Sequence, residues 1–192
     1  FDSEDDSYRH SELLTSSIQD ILNENNIGVS DLSAVSIGIG PGSFTGLRIG
    51  FSVAKGLCYP HNINLIGISS LKIIANSVVK ENKSIISLIK DKGEHYYISK
   101  YNSDLKEIIQ PKIHLIDSNY MFSILDEESI IVVDSDDSKE FISQIIKDKT
   151  SVLSRTISSI DMISLSFKSF EEKKFEDIAY IEPMYVKKPY VS

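Results

Sequence analysis

The sequence predicts an α/β protein built as two lobes, and three observations predict it. An apolar run from Ala34 to Ile39 enters a glycine-rich loop and leaves it through Phe51, Val53, Leu57 and Cys58, which is strand, loop, helix. From Tyr8 to Val79 the pattern reads α-β-α-β-α. From Ser84 onward it reads βββ-α-β-α-β-α, the same order behind three extra strands. Such an order predicts a duplication whose first copy lacks its front, although no letter-by-letter repeat is visible. The boundary is expected at residue 80, giving an N-terminal lobe over 1–80 and a C-terminal lobe with an extended tail over 81–192.

In chain order, the acidic opening Phe1 to Ser7 predicts a loop or disorder. Tyr8 to Asn25 reads as an amphipathic helix, with Leu13, Leu14, Ile18, Ile21 and Leu22 at helical spacing. Asn25 to Gly28 ends it, and a turn at Ser30 to Leu32 precedes the Ala34 strand. The glycine-loop helix spans Ser43 to Tyr59 and stops at Pro60. Asn64 to Ile68 is a short buried strand, and Ser69 or Ser70 caps a helix reaching Val79. Strands follow over Ser84–Lys90, His95–Tyr101 and Lys106–Ile116, with turns at Asp91–Glu94 and Asn102–Asp104. Next come a helix over Asn119–Leu125, a strand over Ser129–Val133, a helix over Lys139–Lys147 and a strand over Thr150–Leu153. A last helix runs from Ser158 or Ser159 to Phe170; Glu171–Asp177 is charged and solvated, and Ile178–Tyr190 is extended.

Composition narrows the function. At 192 residues and 41% hydrophobic, the chain can bury a real core. A net charge of -8 argues against this chain alone gripping a polyanion, because nucleic-acid binders present a basic face. The single cysteine, Cys58, excludes an internal disulfide and suits a reducing, cytoplasmic setting. Its place on the buried side of a helix points to packing rather than nucleophilic work. No apolar stretch approaches bilayer length, and the acidic start is unlike a signal peptide.

The glycine loop carries most of the information. Gly42, Gly46, Gly50 and Ala54 recur every fourth residue and so share one helix face. A glycine inside a helix costs roughly 1 kcal/mol against alanine, so two in consecutive turns need an offsetting gain. Two gains are open: close approach of another backbone along a bare face, or an anion held by free amides at the helix start. A P-loop would need Lys and Ser or Thr after its last glycine, where Leu47-Arg48 follow Gly46. The dinucleotide fingerprint would need a glycine where Ser43 stands. The nucleophile elbow would need glycines where Pro41 and Thr45 flank that serine. None of the three fits, and Ser43 or Thr45 serves instead as a helix cap.

Gly40-Pro41-Gly42-Ser43-Phe44-Thr45-Gly46-Leu47-Arg48-Ile49-Gly50 resembles the signature of the TsaB (YeaZ) family, in the universal-tRNA-modification branch of the glycoprotease-like proteins. Arg9-His10-Ser11-Glu12-Leu13-Leu14 looks like the start of that family's first helix, and Leu65 to Leu71 like its next strand and helix start. Glu182 to Lys187 is similar to a tail found in part of the family. The match is specific from Arg9 to Leu71 and general beyond. The resemblance implies two ribonuclease H-like lobes of the actin and sugar-kinase superfold. It also implies an opening β-meander in the first lobe, which has no equivalent here; about thirty residues ahead of the first helix are expected to supply it.

By resemblance the role is that of a non-catalytic scaffold. Its partner would be TsaD, the subunit that transfers threonylcarbamoyl to the adenosine beside the anticodon of certain tRNAs, with the ATPase TsaE and tRNA reached through the complex. The expected interface lies on the first two helices. It takes Arg9, His10, Glu12, Leu13, Leu14 and Ile18 from one, and Gly42, Ser43, Phe44, Thr45, Gly46, Leu47, Arg48, Gly50 and Ala54 from the loop and the other. Homodimerisation through the same face is a companion expectation. No catalytic, cofactor-binding or metal residue is assigned: His10, His61, His95 and His114 form no i+3 or i+4 pair, whereas TsaD carries a His-x-x-x-His metal motif. Two residues keep two readings each. Phe44 is either an exposed loop tip or a plug under the strand end, and Arg48 either pairs with Glu12 or is simply solvated. Asp134 to Ser138 lacks EF-hand spacing and reads as a loop with a helix cap. The rival reading is a nucleotide-dependent kinase-like enzyme or an endopeptidase of the same superfold.

Overall fold

The computed structural model describes residues 3–79, 82–147, 150–184 and 186, with backbone alone for 3–12. They form two compact units. One takes the chain through Ile68 together with Ser164–Pro183; the other takes Ser69–Ile163. This corrects the expected division at residue 80. The helix α3 (Ser70–Asn76) belongs to the second unit because Leu71, Ile73, Ile74 and Ala75 are all buried, and the helix packs on that unit's sheet. The helix α6 (Ile163–Glu171), in turn, carries the chain back to the first unit.

The first unit opens with α1 (Ser3–Glu24), which begins five residues before the expected Tyr8. Glu4, Asp5 and Asp6, read from sequence as loop, occupy its first turns, where carboxylates favour the positive end of the helix dipole. Strand β1 (Ala34–Gly40) follows, ending at Gly40 with φ of 99°, a conformation only glycine adopts without strain, before a cis bond to the buried Pro41. Next come α2 (Phe44–Cys58) and β2 (Asn64–Ser69). Among the described residues this unit's sheet holds two strands, β1 and β2. Its core is Ala54, Cys58, Ile63 and Leu65, with Val35 and Ile37 of β1 and, from the far end of the chain, Ile178 and Ile181. The last two come from the stretch expected as an extended tail. That stretch is anchored by the Glu176 amide, which donates to the Leu65 carbonyl at 2.8 Å, and by a turn at Asp177. Residue 185 and residues 187–190 of the expected extended tail lie outside the described residues.

The second unit holds a five-stranded sheet of β3 (Ile85–Lys92), β4 (His95–Tyr101), β5 (Glu107–Leu115), β6 (Ile130–Val133) and β7 (Val152–Ser154). Their spatial order is β5-β4-β3-β6-β7. The first three pair antiparallel as a meander, and β6 and β7 add in parallel. Counted within the unit, that is order 3-2-1-4-5, the ribonuclease H-like arrangement the resemblance implied. Five consecutive buried residues in β3, Ile85 to Ile89, mark a central strand covered on both faces. Helices α4 (Ser118–Ile124) and α5 (Asp136–Ile146) cover one face, where Ile86, Leu88, Ile98, Ile131 and Val133 meet Met121, Ile142 and Ile146. Helix α5 begins three residues before the expected Lys139, because Ser135 caps it: its hydroxyl accepts from the Ser138 amide at 3.2 Å.

Candidate partner-binding face

Helices α1 and α2 pack against each other in the first unit, so the residues expected on one face are brought onto adjacent elements. On α1, Leu13 is 60% exposed, Leu14 is exposed and Ile18 is half-buried, while Leu22 turns inward. Arg9, His10 and Glu12 lie on the same helix with side chains outside the described residues, which leaves the Glu12–Arg48 pairing outside them too. Ile21, which shares the helical spacing of Leu13, Leu14, Ile18 and Leu22, is 59% exposed and extends the apolar surface of α1. Spacing at i+3 and i+4 marks a wide stripe without saying how much of its width is covered.

At the start of α2 the expected cap forms: the Ser43 hydroxyl accepts from the Gly46 amide at 3.3 Å. Gly42, Ser43, Thr45 and Gly46 are exposed and Leu47 is half-buried. Phe44 resolves to the exposed reading, at 54%, and the guanidinium carbon of Arg48 sits 4.1 Å from its ring centroid. Such a cation–π contact contributes about 0.5–1 kcal/mol at an exposed site.

The small-residue stripe requires a correction. A Cβ on Gly50 would lie 3.6 Å from Ile37 Cδ1 of β1, and Ala54 is 5% exposed within its own unit's core. The inner half of the ridge, Gly50 and Ala54, therefore faces its own strand and core. Of the four positions only Gly42 and Gly46 open outward; the first would place a Cβ with nothing within 4 Å and the second meets only its own cap, Ser43. The apolar content of the exposed face thus comes from Leu13, Leu14, Ile21 and Phe44. Cys58 is fully buried and burial pushes its thiol pKa up, as a core residue requires.

Elsewhere the second unit holds a buried lysine. The Lys100 ammonium, 6% exposed, donates to the Ile124 carbonyl at 2.6 Å and pairs with Asp126 at 2.6 Å. This pair borders a cavity of about 240 Å³ lined by Phe122, Leu125, Asp126, Glu127 and Thr150. Both partners lie between the end of α4 and β6, and the ammonium ties that stretch to β4. Among the described residues no group of three His, Cys, Asp or Glu is placed to hold a metal ion.

Known proteins share this architecture. YeaZ from Pseudomonas aeruginosa superposes with a TM-score of 0.78 over 92% of this chain and 84% of that one, at 18% identity. A second structure, described as a protein with similarity to peptidase YeaZ from the same organism, gives 0.77 over 93% and 84%, also at 18% identity. The fold is thus the mixed α/β type of the actin and sugar-kinase superfold. A family model described as "TsaD: tRNA N6-adenosine threonylcarbamoyltransferase" matches residues 4–186. The chain belongs to this family, and proteins bearing the TsaB name are among its relatives. The tRNA threonylcarbamoyladenosine biosynthesis protein TsaB of Escherichia coli K12 is 32% identical over 97 residues, 50% of this chain and 42% of that protein. The Haemophilus influenzae protein of the same name is 30% identical over 108 residues, 53% and 46% respectively. A tRNA N6-adenosine threonylcarbamoyltransferase of Bacillus anthracis is 33% identical over 102 residues, 50% and 30%. These alignments span less than half the length of the curated relatives.

Proposed function

We propose that the chain is a non-catalytic scaffold subunit of the machinery that installs threonylcarbamoyl on the adenosine adjacent to the anticodon of tRNAs, binding and activating a TsaD-type transferase. The observation that carries this reading is the row of large apolar side chains left in solvent on two packed helices, Leu13, Leu14 and Ile21 on α1 and Phe44 on α2. Large apolar side chains left exposed on adjoining elements mark protein–protein interaction sites. The TsaB names of the relatives supply the pathway, and the net charge of -8 fits a subunit that meets tRNA only through the complex. A TsaE-type ATPase would join through that complex. A second copy of the chain can use the same face, since a two-fold contact lets one patch serve both partners.

Gly50→Leu is the wrong probe of this face, because a Cβ there already touches Ile37 of β1 and a leucine would crowd the packing of α2 on its own strand. The double variant Leu13→Glu, Leu14→Glu replaces exposed side chains and leaves the core intact. It should fold, as read by circular dichroism, and lose co-purification with the TsaD-type subunit; undiminished co-purification would sink the scaffold reading. One observation favours a second reading, a nucleotide-dependent enzyme: the family model and the Bacillus relatives carry a transferase's name. Calorimetry with ATP and Mg²⁺ on the isolated chain separates the two, since the scaffold reading requires little or no heat.

A further inference from the structure

We propose that Arg48, seated on Phe44, is the charged anchor of this face and receives a carboxylate from an apolar helix of the partner; the inference rests on the docking role proposed above. The two residues are one helical turn apart, and the guanidinium carbon stands 4.1 Å from the ring centroid. A guanidinium laid over a ring keeps its N–H donors at its rim, where they can make two parallel bonds to a carboxylate. The ring also holds the side chain in place beforehand, so less rotamer freedom is lost when a partner arrives. Aromatic and arginine side chains are the residue types that dominate binding energy at protein interfaces.

The surroundings admit a second backbone. Gly42 leaves open space where a Cβ would stand, and Gly46 meets nothing but Ser43. Apolar area lies on the adjoining helix, with Leu13 and Leu14 exposed, so a matching surface is apolar with an acidic group at its edge. Phosphate would satisfy the same donors, but a chain of net charge -8 repels a polyanion far more than it repels one carboxylate on an apolar helix.

The test compares Arg48→Met, Arg48→Lys and Phe44→Ala in the full chain, with binding to the TsaD-type transferase of the same organism measured by calorimetry at low and high salt. Arg48→Met keeps the aliphatic stem and removes the charge. It should weaken binding at least tenfold and flatten the salt dependence, whereas Arg48→Lys should fall between it and the parent. Phe44→Ala should also weaken binding, because it removes the seat of the cation. The Leu13→Glu, Leu14→Glu variant runs beside them. If that variant loses the transferase while Arg48→Met binds as the parent does, the anchor is refuted and the face survives. If neither variant changes binding, both are refuted. A loss of tRNA binding, or of a dimer in light scattering, with transferase affinity intact on Arg48→Met would assign the cation to another occupant and overturn the proposal.

Discussion

Two glycines of the first unit stand in opposite surroundings, and substitution separates them. A Cβ on Gly67 in β2 would lie 2.7 Å from Ile39 Cγ2 and 3.1 Å from Glu176 Oε1. The first is a branch methyl on the neighbouring strand, with no flexible chain behind it to swing away. Gly67→Ala should destabilise by about 1–3 kcal/mol, the usual cost of overpacking. Gly56, exposed in α2, would place its Cβ with nothing within 4 Å, so Gly56→Ala should stabilise by about 0.5–1 kcal/mol through helix propensity alone. Urea titration of the two variants beside the parent checks both signs at once. A charge at the same scale gives a pH dependence. Hydrogen bonding to Lys100 holds the Asp126 carboxyl below its ordinary range, against a smaller opposing effect of burial. The folded state therefore favours the ionised form, and that contribution is present above the ordinary carboxylate pKa of about 3.9 and lost as pH falls below it. Asp126→Asn should show a shallower fall in urea midpoint between about pH 5 and pH 3 than the parent. Equal slopes would mean that the pair is not coupled to folding.

At the scale of elements, what the residues disclose and what they withhold divides along a physical line. The strand, loop and helix around Gly40 to Arg48 were legible because φ-restricted residues, a cap and periodicity all point one way there. The order of the second unit's elements was legible too, because its hairpin turn at Gly93 and its apolar runs are short-range signals. Helix starts were read late at Ser3 and at Asp136, where acidic residues looked solvated but in fact favour the dipole of the first turn. The stripe Gly46, Gly50, Ala54 was a harder case. Spacing states that a bare face exists, yet a strand of the same chain and a helix of another make the same steric demand. Only the position of Ile37 against Gly50 decides it. Long-range returns were out of reach for the same reason: no local pattern says that Ile178 and Ile181 pack beside Leu65. Of the residues expected on the face, Leu13 and Leu14 lie exposed, Phe44 kept two readings that only its exposure separates, and the exposure of Ile21 and the seat of Arg48 on Phe44 leave no mark in the local pattern.

For the molecule as a whole, the sign of the charge bears on whether it could grip tRNA by itself. With 20 Lys and Arg against 28 Asp and Glu, the chain carries a net -8 and lacks the surplus of cations that phosphate contacts require. Neutralising several phosphates would make affinity fall by orders of magnitude between about 50 and 200 mM salt, a dependence that arises from released counterions and cannot be hidden by other contacts. The isolated chain mixed with tRNA should therefore show no salt-dependent shift in an electrophoretic or fluorescence-anisotropy titration over that range. Adding the TsaD-type subunit should bring the chain onto the tRNA, and the Leu13→Glu, Leu14→Glu variant should remain behind. A steep salt slope for the chain alone would place the phosphate contacts on this subunit and make tRNA, rather than another protein, the occupant its exposed cations serve.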